Sequence, residues 1–263
     1  MIRLLIADFM RVKKNKLFWI LCVAMALVAL IIVVNAIASK DTQIDNPMCF
    51  SVIPVEIAAA IFISIFFGTE YSDGTMRNKL IVGHDRRKIY LSNQITALLC
   101  AFVLFVCYQL PIAIFGYSLV ALPTAEAIQT VAVGVVTLFA FSSLFTMVSM
   151  IYSNKAGATV VNLVLAFVLL FAAMILCTYL AQPEFFTSYN MAGEMEYVRN
   201  PNYVSGSLRT LLQTITDLLP SGQAFQFMTG VLSPLWVLPL YSLGVCAACT
   251  AAGVAVFFKK DMK

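Results

Sequence analysis

Between Lys16 and Lys40 runs LFWILCVAMALVALIIVVNAIAS, residues 17–39, without a single charge. A helix rises about 1.5 Å per residue, so roughly 20 apolar residues cross a hydrocarbon core about 30 Å thick. This stretch is long enough to span a bilayer, and it lacks the period-two alternation of a barrel strand. Its end, Asn35-Ala36-Ile37-Ala38-Ser39, resembles a signal-peptide cleavage site. The apolar part Leu17–Val34 nevertheless exceeds the roughly 7–15 residues of a signal core, and further spans follow. It is read as the first membrane helix.

Five more such stretches follow. They are placed at about 48–67 (which contains Glu56), 92–117, 127–151, 157–181 and 235–258. The composition agrees: 61% of the 263 residues are hydrophobic, 11% are charged, and the mean hydropathy is +0.91. Soluble domains are nearer 45–50% apolar and about 25% charged. A soluble globular enzyme, a disordered chain and a disulfide scaffold are thereby excluded. A net charge of +4 is too modest for a nucleic-acid binder. The expected fold is an all-α integral membrane protein with six transmembrane helices in one domain over 1–263.

Orientation follows from Lys and Arg, which are retained in cytoplasmic loops. Arg3, Arg11, Lys13, Lys14 and Lys16 precede the first span, and Arg77, Lys79, Arg86, Arg87 and Lys88 follow the second. Lys155, Lys259, Lys260 and Lys263 fall on the same side, making 14 of the 17 cations. Lys40, Arg199 and Arg209 fall opposite, with Asp41, Asp45, Glu126, Glu184, Glu194, Glu196 and Asp217. Both termini are expected in the cytoplasm and the chain in the cytoplasmic membrane.

Within residues 1–16, Ile2, Leu5, Ile6, Phe9 and Met10 recur at helical spacing, with Arg3, Arg11 and Lys14 off the stripe and Lys13 at its end. That pattern predicts an interfacial helix with its cations toward lipid headgroups, and the same residues serve as a topology-fixing basic flank. After the second span, Gly68 is expected to end the helix and Ser72 or Asp73 to cap a short cytoplasmic one over 73–82. Asp73 stands four residues before Arg77, Met76 and Leu80 share a face, and Gly83 provides a stop. Such a helix either docks on a partner protein or rests on its own bundle.

Glu70, Gly74-Thr75, Arg77-Asn78-Lys79-Leu80, Arg86 and Tyr90-Leu91 together resemble the E-x-x-x-G-T-x-(R/K)-x-x-L stretch of ABC transporter permeases of the type-2 export family. The likeness is greatest to short bacterial members that work beside a separate ATPase chain. It extends over the whole chain, from amphipathic start to larger external segment before the last span. The resemblance implies that this segment is a coupling helix resting on the ATPase, with contacts by Glu70, Gly74, Thr75, Arg77, Asn78, Lys79 and Leu80 or their neighbours. It also implies that residues 1–16 form a connecting helix and that external re-entrant helices precede span six. The chain lacks a phosphate-binding loop, since Gly74 is followed by Thr75 rather than Gly-Lys-Ser/Thr. No cofactor is expected on this chain; ATP and Mg belong to a separate ATPase subunit, expected in two copies.

Glu56 is the acid placed well inside a span, where a carboxylate must face water, a partner or a proton. It either lines a translocation path or holds helices together, and Asn35 is a second candidate for that path. Asn35, Gln109 and Asn162 suit hydrogen bonds between helices, and Pro111 suits a kink. The segment Gln182–Asp217 is polar, and the broken apolar stretch after it suggests one or two short external helices. Tyr189, Tyr197 and Tyr203 read as interfacial anchors. Ala247, Ala248, Ala251, Ala252, Gly253 and Ala255 permit close helix approach, within the chain or to a second copy. Cys246-x-x-Cys249 lies mid-membrane with His84 as the one histidine, so neither a redox nor a metal site is expected.

The function expected is that of a non-enzymatic permease subunit, paired with a second permease chain (homo- or heterodimer) and exporting an amphipathic peptide, antibiotic or lipid-like molecule. The alternatives are a non-transporting scaffold or sensor recruiting a cytosolic partner, and a secondary transporter. The latter is disfavoured by the scarcity of intramembrane ionisable groups.

Overall fold

The computed structural model describes residues 1–39, 45–117, 123–189, 195–229 and 233–260. Lys40, Asp41, Glu194 and Lys263 lie outside the described residues, as do the side chains of Asp45, Tyr189 and Glu196. Among the described residues, six helices are long and apolar enough to cross a membrane, and the chain is an all-α membrane protein.

Helix α1 (Ile2–Lys14) turns Leu4, Asp8 and Val12 inward, while Ile2, Ile6, Phe9 and Met10 are exposed. Leu5 is half-buried, and Lys13 and Lys14 are exposed. Asn15 separates α1 from α2 (Lys16–Ala38): its side chain accepts from the backbone N–H of Leu17 (2.9 Å) and Phe18 (3.4 Å), a helix N-cap. Trp19 Nε1 donates to the Lys13 carbonyl at 2.9 Å and fixes the corner. A short α3 (Asp45–Cys49) leads into α4 (Val52–Ser72). Two-thirds of its apolar window is buried (67%), against 17% for the last span, so α4 is the central helix. It packs on α2 and on the three spans over 86–111, 125–151 and 155–180.

Helix α6 (Arg86–Pro111) starts six residues earlier than span three was expected to. Asp85 accepts from the Arg87 N–H at 3.0 Å, so the basic cluster forms the first turn of α6 rather than a loop. After Pro111 the helix continues as a π turn over Ile112–Gly116, the distortion expected where proline removes a backbone donor. Helices α7 (Ala125–Ile151) and α8 (Lys155–Leu180) begin at side-chain caps on Thr124 and Asn154. Gln109 Nε2 donates to the Met48 carbonyl (3.3 Å) and Ser51 Oγ (3.2 Å), and Asn162 Nδ2 to the Phe145 carbonyl (3.3 Å) and Ser149 Oγ (2.7 Å). Both amides link helices, as their residue type suggests.

Residues 182–217, read from sequence only as a polar segment, hold an antiparallel strand pair of β1 (Phe185–Tyr189) and β2 (Met195–Arg199), paired Phe185 to Arg199 and Thr187 to Tyr197. Aromatic and branched residues favour the strand over a helix there. Helices α9 (Gly206–Leu218) and α10 (Pro220–Thr229) follow and pack on each other and on α8. The last span, α11 (Leu238–Lys259), begins after the 235–237 turn with Pro239 in its first turn, where its missing N–H costs nothing. It packs mainly along α7.

Candidate coupling site at the basic end of the bundle

Helix α4 does not stop at Gly68 but runs on to Ser72. The new helix is opened not by a Ser72 or Asp73 side chain but by Gly74, whose φ of +68° favours glycine, and α5 spans Thr75–Ile81. Asp73 accepts from the Ser72 hydroxyl at 3.4 Å, and the Asp73–Arg77 ion pair is not among those formed by the described residues. Helix α5 closes at Gly83 (φ +90°): the Gly83 N–H donates to Leu80 O (2.9 Å) and the His84 N–H to Lys79 O (3.2 Å), satisfying two terminal carbonyls.

Only part of α5 faces outward. Met76 is buried and Leu80 packs against the core, while Arg77, Asn78, Ile81 and Val82 are exposed. The Thr75 hydroxyl turns back to donate to the Glu70 carbonyl at 2.9 Å. Lys79 also points inward, and its Nζ donates to Asp8 Oδ1 (2.8 Å), Glu70 Oε1 (3.0 Å) and Asn93 Oδ1 (3.3 Å). Arg11 Nη1 donates to the same Glu70 Oε1, with its guanidinium 5.2 Å from the Phe66 ring centroid. Glu70 Oε2 receives Asn93 Nδ2 at 3.1 Å, and Asp8 Oδ2 receives the Ser92 hydroxyl at 2.9 Å.

Two fully buried carboxylates thus meet two cations, an amide and a hydroxyl contributed by α1, α4, α5 and α6. Buried ion pairs repay their desolvation only when the remaining lone pairs are satisfied, and here each carboxylate oxygen has a donor. Of the residues that the motif nominates for partner contact, Arg77 and Asn78 are accessible, whereas Glu70 and Lys79 are enclosed and brace the helix from behind. Asp8, Ser92 and Asn93 were not nominated by the sequence. Asp8 carried a readable signal: an acid three residues before Arg11, opposite the apolar stripe.

A second junction lies beside the first. Arg86 Nη1 donates to the carbonyls of Phe257 (3.1 Å), Phe258 (3.1 Å) and Lys260, closing the end of α11. The Met150 carbonyl, one residue from the end of α7, accepts from Tyr71 Oη (2.6 Å) and Lys260 Nζ (2.9 Å). Burial pushes the Lys260 ammonium down to about 8, and it sits 4.2 Å from the Tyr71 ring centroid.

At the opposite end, Glu56 is fully buried and its Oε1 accepts from the Ser221 hydroxyl of α10 at 2.7 Å. Asp217, counted among the outer acids by sequence, is buried, accepting from Gln226 Nε2 (2.8 Å) and the Ser233 hydroxyl (2.6 Å). Gln223 Oε1 accepts from Thr137 (3.0 Å) and Ser242 (2.7 Å). These polar residues bind α10 to α4, α7 and α11. Asn35 is exposed near the C-terminal end of α2.

Six apolar helices long enough to cross a bilayer, with a buried charge network joining four elements at one end, define a multi-pass membrane protein. The family model described as ABC-2 family transporter protein matches residues 4–173, and the chain belongs to that family. The match runs from α1 into α8 and takes in the whole charge network. No curated protein matches the chain. Membership makes this chain a membrane component of an ABC transporter and implies association with an ABC ATPase.

Proposed function

We propose that this chain is the permease subunit of an ATP-driven exporter in the cytoplasmic membrane, with both termini cytoplasmic and α5 resting on the partner ATPase. The observation that carries the reading is Lys79, whose ammonium joins α5 to α1, α4 and α6 at once. A push on Arg77, Asn78, Ile81 and Val82 would reach three other elements without passing through a flexible loop. ATP and Mg belong to the ATPase, present in two copies, and a second permease chain completes the cavity. The exposed alanines Ala247, Ala248, Ala251, Ala252 and Ala255 on α11 support a close contact to that second chain.

The cargo is an amphipathic peptide, antibiotic or lipid-like molecule, consistent with the apolar surfaces of the spans. Asn35, exposed on α2, is the path candidate open to a ligand, while Glu56 supports the path by holding α10 to α4. In this reading α9 and α10 dip into the outer face of the membrane. The test joins crosslinking and turnover. Cysteines at Arg77 and Asn78 should crosslink to a co-purified ATPase whose turnover rises with an exported amphipathic peptide. Crosslinking without turnover or export would make the chain a scaffold, and labelling of these sites from outside the cell would overturn the orientation.

A further inference from the structure

Among the described residues, every buried acid except Glu56 has a donor on both oxygens: Asp8 and Glu70 at the basic end, and Asp217 on α9. Glu56, fully buried in α4, has one donor, the Ser221 hydroxyl on Oε1 at 2.7 Å. Its Oε2 has no hydrogen-bond partner, and Glu56 joins none of the ion pairs formed by the described residues. The surrounding elements supply no compensating charge. Helices α2, α6, α8 and α11 carry charge only in their basic-end turns, at Lys16, Arg86 to Lys88, Lys155 and Lys259, and α7 only at the exposed Glu126. On α9, Arg209 is turned to the Leu180 (2.9 Å) and Val204 (3.4 Å) carbonyls. The Tyr108 hydroxyl of α6 donates to the Pro47 carbonyl (3.2 Å), and the Cys177 thiol of α8 to the Gly222 carbonyl of α10 (3.9 Å).

A carboxylate in that setting would rest a full charge on one hydroxyl. A neutral carboxyl leaves only an unpaired O–H, the smaller penalty in an apolar interior. Since Ser221 donates to Oε1, Oε1 is the carbonyl oxygen and Oε2 the one that bears hydrogen. We propose that Glu56 is a proton-binding site whose occupancy latches α10 onto α4. With the proton bound, the carboxyl tolerates burial beneath α10. Loss of the proton to water leaves a carboxylate that needs hydration, and water reaches it when α10 lifts off α4; return of the proton reverses both. The lifted form binds fewer protons, so rising pH favours it. Nothing in this latch depends on the cargo, the ATPase or the orientation of the chain.

Infrared spectroscopy of the purified chain in nanodiscs at neutral pH tests the proton. Wild type should show the carbonyl band of a carboxylic acid, and Glu56→Gln should remove it. Ser221→Ala should move the band to higher frequency as the carbonyl loses its hydrogen bond, which keeps the test open if Glu56→Gln does not fold. No such band, or one that these variants leave unmoved, would overturn the proposal. The latch is read at Cys177, a native buried thiol in contact with α10, by mass spectrometry after brief exposure to a charged methanethiosulfonate. Thiol reactivity itself grows with pH, so the measured quantity is the wild-type rate divided by the Glu56→Gln rate at the same pH. That ratio should climb with pH by at most about tenfold per unit, the limit for one proton. A ratio constant from neutral to alkaline pH would overturn the latch even with the band present.

Discussion

Lys79 Nζ lies 2.8 Å from Asp8 Oδ1, a contact between residues 71 apart in sequence that ties the short helix α5 to the first helix of the chain. Neither residue is accessible enough to act as a docking contact, the Lys79 side chain being 11% and the Asp8 side chain 0% exposed. Through the same ammonium, Glu70 and Asn93 join the contact, so that α1, α4, α5 and α6 meet at one point.

Lys79→Met leaves Asp8 with one hydroxyl donor and a buried, unbalanced charge. Loss of one partner from a buried pair costs about 3–5 kcal/mol. Thermal unfolding in detergent should show a drop of that order, and Asp8→Asn added to Lys79→Met should recover part of it. A double variant no better than the single one would mean that the two charges are not coupled.

Glu56→Gln retains an oxygen that accepts from Ser221, so the fold should survive with little change in stability. Glu56→Ala should cost about 1–3 kcal/mol, because the buried Ser221 hydroxyl loses its acceptor. A double-mutant cycle with Ser221→Ala should return a coupling of about 1 kcal/mol. Strict additivity would deny that Glu56 holds α10 to α4.

Arg86→Ala uncovers the last carbonyls of α11, which point at no further helical donor. The expected loss is about 1 kcal/mol, typical of a cation at a helix C-terminus. Hydrogen exchange should accelerate in the last turn of α11 while α7 remains protected. Uniform exchange across both helices would place the effect elsewhere.

Lys260 titrates at about 8 in the folded chain, because burial disfavours the ammonium, against an ordinary value of 10.5. Between these values the unfolded chain binds more protons, so stability rises as pH climbs through that window. Below pH 8 both states are protonated and the full cost of burying the charge is present. Denaturant titrations across this range should show the upward slope in wild type, and Lys260→Gln should flatten it.

The six spans were legible because a membrane demands length and apolarity, both local properties. The short helix after the second span was legible too, although its boundaries shifted. Helix α4 ran through Gly68 because that glycine serves close packing on α8, where a Cβ would fall 2.6 Å from the Lys155 Cα, and Gly74 took over the turn. The hairpin over 185–199 escaped notice beneath an overall polar composition, although Phe185, Phe186, Tyr197 and Val198 are strand formers. The burial of Asp217 was illegible for another reason. Counting charges assigns an acid to a side of the membrane, but its partners Gln226 and Ser233 become neighbours only once α9 and α10 fold back. Asp8 shows the same limit: its partner stands 71 residues away.

The wiring of α1 also dictates an order of events during translation. Arg11 leaves the ribosome 59 residues before Glu70, and Asp8 leaves 71 before Lys79. At about 5–20 residues per second, the nascent helix waits roughly 3–14 s for its counter-charges. The charges of α1 are therefore paired only after the second span and α5 have been made.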